Sequence, residues 1–206
     1  MLGTRVLRYP TTMAVWQSMN YDHPIPDVST TFTITCPKDT DIYDKPPSTH
    51  RFDAPVVYTV TTAGKFKSAS VTITADWTYR YDQGGLCLVM NFRDGTRKWI
   101  KTGIEFLEGT PMISVVTKDR WADWSLRPLL EPGAKSARVQ IENTRDGNLW
   151  VYVVGTDGKK HPVREVTWWG ELDADTEILV GPAAAKPSTE GGDLTVSFSD
   201  FDLNVA

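Results

Sequence analysis

KWIKTGIEF, residues Lys98–Phe106, alternates between two kinds of side chain. Ile100, Ile104 and Phe106 fall on one side of an extended chain; Trp99, Lys101, Gly103 and Glu105 fall on the other. Successive side chains of a β-strand point to opposite faces, so this stretch reads as a strand with one apolar and one mixed face. The hairpin dipeptide Glu108-Gly109 follows, and then a second β-rich run, MISVVT (Met112–Thr117). Upstream lies LCLVMNF (Leu86–Phe92), joined to the first strand through Asp94-Gly95. Three strands with tight turns between them form the start of an antiparallel sheet.

The same pattern extends in both directions. Thr31–Thr35, Pro55–Val60 and Ser70–Trp77 precede it, rich in β-branched and aromatic residues. Ala137–Asn143, Leu149–Val154, Val163–Trp169, Glu177–Ala185 and Leu194–Phe201 follow, with Asp146-Gly147 and Asp157-Gly158 as further turn signals. No window carries an apolar period of 3.6 residues over a helical length. The fold class is all-β, an antiparallel two-sheet sandwich or a barrel. Met19–Asp27 reads as a loop, and Thr40–Pro55 as a connection punctuated by proline.

At 206 residues and about 150 per domain, the chain is expected to form one domain. Residues 31–203 would be its core and 1–30 an extension packed on it. Apolar residues make up 40% and charged ones 23%, a globular balance that excludes extended disorder. The net charge of −4 argues against nucleic acid or an anionic membrane as partner. Cys36 and Cys87 sit far apart in strand-like contexts and read as buried free thiols. His23, His50 and His161 are isolated, so neither a zinc site nor any other metal or cofactor is expected. MLGTRVLRYP lacks the apolar run of a signal peptide, and no stretch has the length of a membrane span. A soluble, cytoplasmic protein is the expectation.

The eight tryptophans are the unusual count. Trp packs cores, but it also makes platforms for ligands. By strand alternation Trp77 and Trp124 fall on apolar faces, as does Trp168, and these read as core. Trp99, Trp121, Trp150 and Trp169 fall on polar faces, beside fixed charges. A solvated sheet face usually carries Thr, Ser and Lys, so Trp interleaved with Lys101, Glu105, Asp123 and Arg127 points to a ligand groove. For any single charge, a cross-strand ion pair is the competing explanation.

The blocks DIYDKPPSTHRFDAPVVY, ADWTYRYDQGGLCLVM, RKWIKTGIEF, VTKDRWADWSL, LWVYVV…PVREVTWW and VGPAAAKP occur in that order. Together they resemble the domain-of-unknown-function family typified by the regulation-of-enolase protein. The likeness runs from about Phe32 to about Phe201; WIKTGIEF followed by DRWADWS is its most specific part. It implies a concanavalin A-like lectin/glucanase sandwich, a jelly roll of two curved antiparallel sheets. In the wider superfamily the concave face is the usual ligand site. The resemblance implies no settled reaction.

Glucanases of that superfamily carry Glu-x-Asp-x-Glu on one strand, where alternation gathers the acids on one side. The nearest string here, ELDADTE (Glu171–Glu177), follows Gly170 between two strands and reads as an acidic connection. Glu105 and Asp76 sit mid-strand on polar faces and are the better candidates for an acid and a base. Gln83 precedes Gly84-Gly85, where a ligand or another backbone can come close. Gln83, Trp99, Lys101, Trp121, Asp123, Arg127, Trp150 and Glu165 are the candidate ligand contacts. Lys101 and Glu105, four apart on one strand, are separated by roughly 13 Å. They would touch opposite ends of a ligand or pair with neighbouring strands. No phosphate-loop, dinucleotide, HExxH or GxSxG motif occurs.

Three functions remain open. The first is binding of a small-molecule or sugar-like ligand on the concave face. The second is a cofactor-free enzyme on that face, either a glycosidase-like hydrolase or lyase or an isomerase or cyclase of a small metabolite. The third is a regulatory partner of a metabolic enzyme.

Overall fold

The computed structural model describes residues 14–206. The strands are β1 (Gln17–Met19), β2 (Phe32–Cys36), β3 (Ile42–Lys45), β4 (Thr49–Phe52), β5 (Val56–Thr62), β6 (Phe66–Thr74), β7 (Gln83–Asn91), β8 (Arg97–Leu107), β9 (Thr110–Lys118), β10 (Ala122–Pro128), β11 (Ser136–Asn143), β12 (Leu149–Val154), β13 (Lys160–Val166), β14 (Glu177–Ala185) and β15 (Leu194–Val205). One sheet has the order β1-β5-β14-β7-β8-β9-β10 and the other β13-β12-β11-β6-β15-β2, with all neighbours antiparallel. The fold is an all-β sandwich of jelly-roll type. No helix is long and apolar enough to cross a membrane.

The four turn dipeptides each close a hairpin. Gly95, Gly109, Gly147 and Gly158 all have φ near +80°, a region glycine enters without steric cost. Glu108 shares the left-handed conformation with Gly109, so their two-residue turn pairs Leu107 with Thr110. The inner faces of the sheets meet in a core of Ile34, Phe66, Val71, Ile73, Leu86, Leu88, Ile100, Ile104, Val139, Val151 and Phe198.

Three local expectations change. Thr40–Pro55 is not a plain connection but contains the β3–β4 hairpin, which lies on the outer face of the seven-stranded sheet. Ile42 and Ala54 bury there against Val56, Cys87, Val89, Trp99, Val116 and Leu179, forming a second apolar cluster. Residues 17–19 of the expected loop and extension pair with β5 as an edge strand, and Asn20 donates its amide to the Phe52 and Ala54 carbonyls. Residues 1–13 of the extension lie outside the described residues. The strand expected to run through Trp169 ends at Val166, where a short 3-10 helix, Thr167–Glu171, begins. That helix turns Trp169 into the core against Phe66 and leaves Trp168 half-buried under Lys98, the reverse of what strand alternation implies. ELDADTE is the connection into β14, as read.

Candidate functional site

The outer face of the seven-stranded sheet is built in rows by its register. Gln83 pairs with Glu105 and Glu105 with Met112; Cys87 pairs with Lys101, Lys101 with Val116 and Val116 with Trp124. Between these rows runs Gly85-Gly103-Ser114. A Cβ at Gly85 would stand 1.9 Å from the Thr102 carbonyl oxygen, and one at Gly103 2.0 Å from that of Gly84. The strands approach too closely for any other residue. With no side chain in this row on β7 or β8, Lys101 lies along the sheet and reaches Gln83.

Lys101 Nζ donates to Gln83 Oε1 at 2.6 Å and to Asp41 Oδ1 at 3.3 Å. Gln83 Nε2 donates to the same Asp41 oxygen at 3.4 Å and to the Tyr81 carbonyl at 3.2 Å. Asp41 precedes the β3–β4 hairpin, and its amide is held by Asp53 at 2.6 Å. Arg51 in turn binds Asp53 and Asp39. The hairpin thus delivers an acceptor to Lys101. Lys101 does bond to a neighbouring strand, and the lone floor ammonium is neutralised in place.

Glu105 is 6% exposed. Burial pushes its carboxyl above the ordinary range, with Lys101 and the Ser114 hydrogen bond acting the other way. Trp124 Nε1 donates to Ser114 Oγ at 3.0 Å, and Ser114 donates to Glu105 Oε2 at 2.6 Å. An indole N–H can only donate, so Ser114 Oγ is the acceptor of the Trp124 bond. Ser114 thereby orients the Glu105 carboxyl through Oε2.

Above Glu105 opens a cavity of about 300 Å³, lined by Asp41, Tyr43, Lys45, Tyr81, Gln83, Lys101, Glu105, Val116 and Trp124. A recess of about 30 Å³ lies beside it among Gly85, Gly103, Ser114 and Glu105. It has room for about one water-sized group. Tyr81, at φ 70°, stands edge-on to Trp124 with ring centres 6.0 Å apart. Arg80 covers the Tyr81 ring at 4.7 Å. The turn presenting Tyr81 is pinned by Asp82, which accepts the Thr78 and Tyr79 amides and the buried Lys186 ammonium.

Of the residues expected from sequence, Gln83, Lys101 and Glu105 converge here. Trp99 occupies the expected face, yet it is fully buried beneath the hairpin and not open to a ligand; its indole N–H has no partner among the described residues. Trp121 stacks on His50 at the far end of the hairpin, 5.3 Å between ring centres. Asp123 and Arg127 pair with Thr117 and Ile113, placing them on the opposite side of the sheet from Trp124. Arg164 binds the Asp123 carboxylate at 3.4 Å and its carbonyl at 2.9 Å, tying the sheets together. Trp150 and Glu165 pair with each other on the six-stranded sheet, where Trp150 stacks on Tyr152. Asp76 follows β6 rather than lying within it. Its exposed carboxylate binds Lys135 at 2.7 Å, and that hydrogen bond lowers its pKa. The pocket therefore contains one of the two expected acid/base residues.

Asp41, Tyr43, Lys45, Tyr81, Ser114 and Trp124 were not foreseen. Ser114 was within reach, because the Glu108-Gly109 turn fixes the register that sets it opposite Gly103. Alternation groups Trp124 with the apolar Ala122 and Leu126 and so implies a core position, but that face is the outer one. Among the described residues, no cluster of acids, His and Cys has the form of a metal site.

A family model described as "Protein of unknown function (DUF1349)" matches residues 19–205. An uncharacterized protein of Emericella nidulans is 42% identical over 94% of this chain and 97% of its own length. Regulation of enolase protein 1 of Saccharomyces cerevisiae is 30% identical over 68% of this chain and 65% of its own. A solved structure of a functionally unknown protein from Saccharomyces cerevisiae superimposes with a TM-score of 0.75, at 23% identity, over 95% of this chain and 97% of that one. The pseudo beta-1,3-glucanase of Mycobacterium tuberculosis does so at 0.53, with 12% identity, over 93% and 91%. These two structures share the fold of this chain, an all-β jelly-roll sandwich.

Proposed function

Because the chain belongs to the DUF1349 family of proteins of unknown function, we propose a function from the pocket itself: it binds a small hydroxylated, sugar-like ligand. The carrying observation is the meeting of Glu105, Lys101 and Gln83 under aromatic walls of Tyr43, Tyr81 and Trp124 in one cavity of about 300 Å³. That volume is at the lower end of small-molecule sites, and an aromatic wall with a few convergent polar groups is their usual composition. Sugar-like ligands suit it because C–H faces pack on aromatic rings while hydroxyls meet amide, ammonium and carboxyl groups. The glucanase-like relative of the fold is consistent with such a ligand.

A second reading has its own support. A buried Glu105 whose pKa is raised by desolvation and whose carboxyl is oriented by Ser114 is the arrangement a general acid needs. The same pocket would then carry out proton transfer on its ligand. A docking role toward a metabolic enzyme has less support. Among the described residues only Val15, Ile25 and Val60 are large exposed apolar side chains, too few for a hydrophobic interface.

A thermal-shift screen of monosaccharides, polyols and hydroxy acids tests the binding reading. A stabilising compound should lose its effect in Trp124→Ala, which removes the aromatic wall. If Trp124→Ala responded to every hit as the wild type does, the ligand would lie elsewhere. For the catalytic reading, Glu105→Gln should bind the hit yet lose turnover; full turnover would refute it.

A further inference from the structure

The charges around the pocket are unevenly matched. At its floor Lys101 is paired with Asp41. Lys45 lines the cavity, and Arg80, just outside that lining, lies with its guanidinium over the ring of the wall residue Tyr81. Both side chains are exposed, and neither has a carboxylate partner among the described residues. The nearby carboxylate of Asp123 is occupied by Arg164 on the other side of the sheet. One cation without a carboxylate partner thus lines the pocket and a second lies against its wall residue Tyr81, on a chain whose net charge is −4.

The hydrogen-bonding groups lean the same way. Tyr43 and Tyr81 line the cavity, and neither hydroxyl bonds to a described residue. Desolvation, reinforced by Asp41 and Glu105, raises the Tyr43 pKa and keeps its hydroxyl a donor. Tyr hydroxyls and the Lys45 ammonium and Arg80 guanidinium are free donors, whereas Asp41 Oδ1 already accepts from Ile42, Gln83 and Lys101.

We infer that the ligand of this pocket is anionic, a small polyhydroxylated molecule whose carboxylate or phosphate is received by Lys45 and Arg80 at the rim. This rests on the pocket being the binding site proposed above. The hydroxylated part lies against Tyr43, Tyr81 and Trp124, and the charged end points outward. The anion needs little desolvation there, so the cations contribute discrimination and encounter rate more than raw affinity.

The test is a calorimetric titration of the full chain with D-glucuronate, D-glucose 6-phosphate and D-glucose. One or both anions should bind about tenfold more tightly than glucose, which is what two exposed charge contacts supply. Which anion binds better separates carboxylate from phosphate. The preference should shrink in 0.5 M salt, and in the Lys45→Ala/Arg80→Ala double variant the anion-to-glucose ratio should approach one. Both substitutions are at exposed side chains, so folding is not at stake. Glucose binding as tightly as both anions would overturn the charge assignment while leaving the pocket reading intact. An anion preference unchanged in the double variant would overturn the rim. Binding of none of the three would remove both readings.

Discussion

Glu105 combines burial with a polar task, and the consequence is a dependence on pH. Its folded-state pKa is raised by burial above the ordinary value of 4.5. Between those two values the folded protein holds a proton that the unfolded chain releases. Its contribution to stability is therefore full below the unfolded pKa and is lost as pH rises through the folded one. Urea unfolding across this window should show wild-type stability falling with pH relative to Glu105→Gln, which carries no titrating group. Parallel curves for the two would mean that folding leaves the Glu105 pKa unshifted. Legibility differs sharply among such residues. Alternation alone put Glu105 and Lys101 on one face, because period two is a local property of the strand. It gave Asp76 an equal standing, because nothing local says that β6 ends at Thr74 and that Lys135 takes the carboxylate.

At the scale of elements, β7 and β8 are held in contact by what they lack. Gly85 and Gly103 face each other across the pair, and a methyl group at either would press on the partner strand's backbone. Backbone within a central strand pair cannot move aside as a flexible side-chain end can. Gly85→Ala should cost about 2 kcal/mol or more, as overpacking does, and should disturb the Lys101–Gln83 contact that spans this row. Gly192→Ala, where nothing lies within 4 Å, should be nearly neutral. Chemical denaturation of the two variants provides the comparison; equal stabilities would refute the argument. The β3–β4 hairpin shows the opposite case. Its sequence, IYDK and THRF around a proline-rich turn, is short and polar on its solvent side, so it reads as a connection. It persists because Ile42 and its flank Ala54 bury against Trp99 and Val116, which are remote in sequence.

At the scale of the whole molecule, the sandwich is laced at one edge by Arg164. From β13 of one sheet it donates to Thr117 Oγ1 and to the Asp123 carbonyl of the other. β10 is an edge strand with a single neighbour, β9, so this tie is its second anchor. Arg164→Ala should loosen β10 by about 1 kcal/mol, given how exposed Asp123 is, or roughly fivefold faster amide exchange over that strand. Unchanged exchange there would show that β9 alone holds the edge. Trp124 stands on β10, so the same variant reports whether the pocket wall depends on a contact made across the sandwich.

The sequence by itself determined most of the strands, the four glycine turns, the antiparallel all-β class and the place of Lys101 and Glu105 on one strand face. All of these follow from period-two alternation and from backbone angles that glycine alone takes easily, both local quantities. Only the tertiary structure decided which aromatic residues are open. Trp99 and Trp124 lie on the same outer face, and the hairpin covers the first while leaving the second beside the cavity. Trp150 lies on the other sheet altogether. Alternation says which of two faces a side chain takes; what packs on that face is set by contacts between distant segments. The pocket exists because Asp41 and Tyr43 come down on Lys101 and Glu105 from a segment some sixty residues away.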